Sequence, residues 1–446
     1  MRAILKNPLF LLIAVAFLLR LLVVLAHNED IPTGNYPFEL YPSGKLAASY
    51  LQYGAIDPPT EPPLYPLMLL GLWKIGAGPM VHYILQILLS TATVYFIYRI
   101  TRIFSSDEQT ALIAGSLGAV YPPLVIKPIF LQDETTLFLF LFSAAIYFFL
   151  ENFSTRRYTI FFSVILFSLL SSIWLNGFFA AVFFTGATLF FALRTIHHSF
   201  LKKCSLCVVI VGISLAVLLP TYLLNFRVVR DGFLSRESER AERKHSSAPV
   251  SFGARQSFFY PYKNIAFIGP PERDYPPTLA TYLGSALKDA KKDSQNRFAV
   301  IIRRLWLFPD EMNYFTHVLP EHPSGSKAAL TDFFKGSFSP QYLWIIAVKG
   351  LVVFFHLGMI GFGFFALFQF LREKGFFSKE CVLVFFVVLN SLVSAIYLFS
   401  EWPRYVHSNF ALYNIQHMII LIPAAAVMLN RASFGRILFW KKLTRW

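Results

Sequence analysis

The sequence predicts an all-α polytopic membrane protein. Its expected parts are about ten transmembrane helices, an acidic first outer loop carrying an interfacial helix, and a large outer loop before the last three helices. Three observations lead there. Of 446 residues, 56% are hydrophobic and only 15% charged, with a mean hydropathy of +0.54. A soluble domain carries nearer roughly a quarter charged residues, so a water-soluble enzyme and a disordered chain are both excluded. Apolar runs reaching the ~20 residues that cross ~30 Å of hydrocarbon recur roughly ten times. Finally, the Lys and Arg clusters fall on alternate connections. The net charge of +15 then reflects basic cytoplasmic loops, and no nucleic-acid partner is expected.

Taken in order, the expected spans are about 8 to 26, 80 to 98, 109 to 126, 130 to 150, 158 to 175, 177 to 195, 204 to 224, 342 to 371, 380 to 400 and 410 to 430. Very short hairpins are expected at Pro122, Pro123 and Pro128 and at Asn176 and Gly177. Counting every span puts six basic clusters on one side: Arg2 and Lys6; Arg99 and Arg102; Arg156 and Arg157; Arg194, Lys202 and Lys203; Arg372, Lys374 and Lys379; and the tail from Arg431 to Arg445. That side is the cytoplasm, so both termini lie inside a plasma (inner) membrane and the working face is outside. Val24-Leu25-Ala26 after a basic start would also pass as a signal-peptidase site, which leaves the remaining topology unchanged.

Two outer segments exceed ordinary connections and are expected to be functional. The chain accordingly divides into residues 1–224, an N-terminal membrane module with first outer loop 27–79; residues 225–341, an extracytoplasmic subdomain; and residues 342–446, a C-terminal membrane module with a basic tail. The first loop is acidic, and its apolar stretch from Leu64 to Gly76 is too short to span, so it reads as an interfacial or re-entrant helix.

Carboxylates at a membrane surface are ordinarily solvated or cap a helix. Here Glu29 and Asp30 follow the outer end of the first span, Glu39 stands in a Tyr-rich segment with Tyr36 and Tyr41, and Asp133-Glu134 opens the fourth span ahead of an almost unbroken apolar run. Charge at that depth is costly and usually has a task, so two carboxylate sets are expected to converge at the outer surface. On the same side stand Arg227, Arg230 and Arg404. By default these are interfacial anchors, yet a guanidinium fork also matches phosphate geometry. Trp402-Pro403-Arg404-Tyr405 sets Arg404 between aromatic residues.

Several tempting signals read as ordinary structure. Cys204-Ser205-Leu206-Cys207 opens an apolar span with no second pair, His317 and His322 lack further soft ligands, and the Phe residues from Phe138 to Phe149 are membrane packing.

The order of features resembles the GT-C class of membrane glycosyltransferases. Within it, the likeness is to the bacterial branch related to protein O-mannosyltransferases (glycosyltransferase family 39) and to the lipid A aminoarabinose transferase. The matching residues are Leu51-Gln52-Tyr53-Gly54, Glu61-Pro62-Pro63-Leu64-Tyr65-Pro66, Ala119-Val120-Tyr121-Pro122-Pro123, Asp133-Glu134-Thr135, the run from Leu219 to Arg227, and Arg404-Tyr405. They span most of the chain and are weakest in the large loop. Each motif is short; their order carries the resemblance.

The resemblance implies a sugar donor on a polyprenyl phosphate, an outer-face acceptor (glycan, lipid or protein), and a first-loop carboxylate as general base, with inversion at the anomeric carbon. The base is Asp30 with Glu29, or Glu39, which stands two residues before Tyr41. An arginine, Arg404 first and then Arg227 or Arg230, would stabilise the departing phosphate. Tyr41, Tyr65, Trp174, Asn176 and Tyr405 would shape the pocket. At Trp174 and Asn176 the chain departs from relatives that carry a basic residue there. No resident cofactor is implied, and a divalent metal on the acidic residues stays open. Two alternatives remain. A transporter or lipid-linked sugar flippase would place ionisable residues near the midplane in broken helices and repeat its halves. An O-antigen ligase or polymerase would centre on Arg and His in the large loop.

Overall fold

The structure is a computed structural model, and it describes residues 7–26, 64–77, 79–129, 134–152, 159–173, 175–195, 204–217, 340–375, 378–400 and 415–443. Among the described residues there are helices and turns and no strand. In chain order the helices are α1 (Pro8–Ala26), α2 (Leu64–Lys74), α3 (Pro79–Ser105), α4 (Glu108–Val120), α5 (Pro122–Ile126) continued by a 3₁₀ turn Lys127–Ile129, α6 (Thr135–Asn152), α7 (Thr159–Ser171), α8 (Leu175–Thr195), α9 (Cys204–Val217), α10 (Pro340–Lys374), α11 (Lys379–Ser400) and α12 (Ile415–Leu443).

Four described stretches, Pro8–Leu25, Met80–Ser105, Gly350–Lys374 and Ile415–Ala432, are long and apolar enough to cross a membrane by length and composition. Shorter apolar helices accompany them at Thr135–Glu151, Thr159–Ser171, Phe179–Phe191 and Cys204–Val217. The protein is therefore helical and membrane-associated. The expected ten spans correspond to helices of which several are shorter than a full crossing among the described residues. One expected span is divided: the stretch 109 to 126 breaks at Tyr121, whose extended backbone (φ −64°, ψ 115°) precedes Pro122. A proline disfavours helical geometry in the residue before it and is itself favoured at the first helical position, so α4 stops and α5 starts on the same dipeptide. The apolar stretch within the first loop forms α2, whose 11 residues are too few to span.

Helix α3 is central. It packs against α1, α4, α6 and α12, while α12 also lies along α10 and α4. The α6–α7–α8 hairpins form a second group joined to α11. Phenylalanines fill the junction: Phe167 of α7 stacks on Phe184 of α8 at 4.3 Å, and Phe386 of α11 lies 4.8 Å from Phe184 and 5.5 Å from Phe142 of α6. In lipid, where burial supplies little drive between helices, such packing and close backbone approach hold a bundle together. Small residues permit the approach. A side chain at Gly115 of α4 would collide with Leu12 of α1, and one at Gly177 with the backbone carbonyl of Leu170 across the α7–α8 turn. At Gly363 of α10 a Cβ would come within 2.9 Å of the Leu421 carbonyl of α12.

One end of the bundle is charged. Asp107 caps α4, accepting from the Thr110 amide at 2.8 Å and the Gln109 amide at 3.4 Å. Asn430 of α12 reaches the same carboxylate at 3.0 Å. Nearby on this end, Arg102 pairs with Glu108 at 3.5 Å, Arg431 with Glu373 at 3.1 Å and Lys374 with Glu380 at 2.6 Å. Helix α10 stops there on Gly375, whose φ of +77° is the left-handed conformation that ends helices.

Candidate functional site

The opposite end of the bundle, where α3 begins and α4 ends, collects polar groups. Tyr121, fully buried at the α4–α5 break, has its hydroxyl 2.9 Å from Nδ1 of His356 on α10, and the two rings stack with centroids 6.0 Å apart. Tyr65, on the first turn of α2, is buried as well. The Gln86 amide donates to its hydroxyl at 2.7 Å, and Nε2 of His82 lies 3.1 Å from it. His82 and Gln86 are four apart on α3, so they share one helical face and meet the same tyrosine. The Leu64 amide donates to the Ser172 carbonyl at 2.9 Å. That bond seats the start of α2, and Tyr65 with it, on the α7–α8 turn.

Glu134 is half-buried in the turn that opens α6, and its carbonyl accepts the Phe138 amide at 2.9 Å, so its backbone begins the helix. Thr135 and Thr136, which follow it, are buried. On α12, Gln416 is buried with neither side-chain amide atom hydrogen-bonded, and neighbouring His417 lies 2.9 Å from Asn390 of α11. Gln416 stands about 21 Å along α12 from Asn430 at the helical rise, which puts it at the Tyr121 end.

Of the residues the sequence singles out, Tyr65 and Glu134 are thus placed at this end. Asn176 lies in the first turn of α8, its side chain outside the described set. Glu29, Asp30, Glu39, Tyr41, Asp133, Trp174, Arg227, Arg230, Arg404 and Tyr405 lie outside the described residues. No group of three or more His, Cys, Asp or Glu suited to a metal ion occurs among the described residues. Cys204 and Cys207 sit on one helix, exposed and half-buried respectively, and both are free thiols.

Sequence reasoning passed over His82, Gln86, His356, Gln416, His417 and Asn390. A signal was available, because polar side chains at four-residue spacing inside an apolar run, as in His82-x-x-x-Gln86-x-x-x-Ser90, mark a helix face turned into the bundle. Arg20 stands inside the apolar run of α1 in the sequence, and the structure buries it completely.

Compared with known proteins, the chain matches no protein-family model and no curated protein. The glycosyltransferase resemblance therefore rests on the ordered motifs alone.

Proposed function

We propose that the protein is an integral membrane glycosyltransferase of the GT-C type. In this reading it moves a sugar from a polyprenyl-phosphate donor to an acceptor on the outer face of the plasma membrane, and both termini are cytoplasmic. One observation carries the reading furthest. Tyr65, the Tyr121-Pro122-Pro123 corner and Glu134, which belong to three separate motifs of the resemblance, lie at one end of the bundle, opposite the basic end formed by Arg102, Lys374 and Arg431. Short basic segments belong on the cytoplasmic side, so the motif-bearing end is the outer one.

A lipid-linked sugar presents its anomeric carbon at that interface. A carboxylate of the first loop (Asp30 with Glu29, or Glu39) takes the proton of the acceptor hydroxyl as its oxygen attacks the anomeric carbon. The bond from that carbon to the phosphate oxygen breaks, and the phosphate leaves on its lipid with its charge met by Arg404, helped by Arg227 or Arg230. Single displacement inverts the configuration. Tyr41, Tyr65, Trp174, Asn176 and Tyr405 form the pocket in this reading, with Asp133 and Glu134 facing the first loop.

The test is turnover and donor binding by the purified protein in lipid, with sugar-loaded polyprenyl phosphates as donors. An amide keeps the size of a carboxylate but cannot accept a proton. Asp30→Asn should lower turnover by about a hundredfold or more with donor binding nearly intact. Full activity in Asp30→Asn and Glu29→Gln with none in Glu39→Gln moves the base to Glu39. Full activity in all three removes the first loop from the chemistry and the proposal with it.

A further inference from the structure

Arg20, two thirds of the way along α1, has no accessible surface, and no carboxylate pairs with it among the described residues. An arginine inside a membrane helix usually marks a transport path or a ligand. Its hydrogen bonds point elsewhere. Nη1 donates to the Ala119 carbonyl of α4 at 3.2 Å and to the Ala16 carbonyl of its own helix at 2.8 Å, while Nε donates to Oγ of Ser90 at 2.7 Å. Ser90 in turn donates to the Leu124 carbonyl of α5 at 2.5 Å.

The two carbonyls reached from α1 and α3 are related by sequence. In a continuous helix the amide of residue i+4 donates to the carbonyl of residue i. Four residues after Ala119 stands Pro123, and four after Leu124 stands Pro128. Proline has no N–H, so each of these carbonyls loses its helical donor. Away from water, an orphaned carbonyl must find a partner in neighbouring helices. The Lys127 amide does not fill the second vacancy, because it donates to the Pro123 carbonyl.

We infer that Arg20 is a positioning residue: with Ser90 it supplies the two donors that Pro123 and Pro128 withhold, and so fixes the corner from Tyr121 to Ile129 against α1 and α3. The guanidinium fork suits the task, since Nε and Nη1 serve different acceptors at once, which a lysine ammonium on a single stem does less well. Tyr121 takes its position from this corner. The inference stands whether or not the protein is a glycosyltransferase.

The test is a set of double-mutant cycles on the full-length chain, read as the folded-to-unfolded ratio during reversible unfolding in mixed detergent micelles. Arg20→Met should lower that ratio by about ten- to a hundredfold, the usual weight of a lost hydrogen bond to a charged group. In a background with both Pro122→Ala and Pro123→Ala, where the helix can run on through Tyr121 and an amide is again available to Ala119, the same substitution should cost only a few-fold. Arg20→Lys should fall between. Equal losses in the two backgrounds would overturn the inference, because a general packing role is indifferent to whether the prolines at 122 and 123 withhold an amide. Should Arg20→Met or the double proline replacement fail to fold, Ser90→Ala in the native and Pro128→Ala backgrounds decides: a smaller loss in the second supports the repair, and an equal one overturns it.

Discussion

A carboxylate can be held by the fold or held ready for chemistry, and Asp107 is of the first kind. Hydrogen bonds from the Thr110 hydroxyl and the Thr110 and Gln109 amides, with Arg102 nearby, hold its carboxyl below the usual range. A depressed folded-state value means that the stabilisation is present above the ordinary carboxylate pKa and is lost as pH falls through the depressed one. Asp107→Asn should therefore lower thermal stability in detergent at neutral pH, and the gap from the native protein should close on acidification through the carboxylate range. A gap independent of pH would mean that the charge contributes nothing. Glu134 is half-buried at the opposite end, in the turn before an apolar helix, where a carboxylate is costly. The two residues look alike in the sequence, since each is an acid at a helix start. What separates them is which end of the bundle they occupy.

Among the elements, the α7–α8 hairpin sets the position of α2, because the Ser172 carbonyl that receives the Leu64 amide lies in its turn. The turn is tight: Ser172 and Ile173 donate back to Leu169 and Leu170 at 3.0 and 3.1 Å, and Gly177 leaves no room for a side chain beside the Leu170 carbonyl. That neighbour is backbone and cannot rotate away. Gly177→Ala should force the hairpin open and cost on the order of 1 to 3 kcal/mol, as overpacking does. A melting temperature in detergent equal to that of the native chain would show that the hairpin yields freely. The sequence made this hairpin legible through Asn176-Gly177 but set its turn a few residues late, since the chain turns at Ser172 and Ile173 and both Asn176 and Gly177 lie in α8; α2 was legible through its apolar stretch. It did not show where α2 docks, since a single backbone hydrogen bond between residues more than a hundred positions apart leaves no periodic trace. The break at Tyr121 falls at the Pro122-Pro123 pair, where the sequence indicates an interruption, although hydropathy runs on unchanged through Pro122 to Ile126 and carries the expected span to 126; the prolines interrupt the helix there.

At the scale of the molecule, hydropathy and basic clustering made the helical membrane class readable, and the basic residues of α3, α10 and α12 do meet at one end. The polar groups at the other end were harder to read, because His82, Gln86 and His356 are scattered singly through apolar runs and converge only when α2, α3 and α10 are packed. The orientation predicts that a cysteine at position 245 is labelled by an impermeant reagent from outside an intact cell and one at position 440 is not. The reverse pattern would invert the working face. The central claim, transfer of a lipid-linked sugar on that face, is tested most directly by mass spectrometry of envelope glycans, glycoproteins and lipids from cells with and without the protein. The expected result is loss of one sugar from one acceptor together with accumulation of its polyprenyl-phosphate form, both reversed by the native chain and not by Asp30→Asn. Unchanged envelope sugars, or equal restoration by Asp30→Asn, would contradict it.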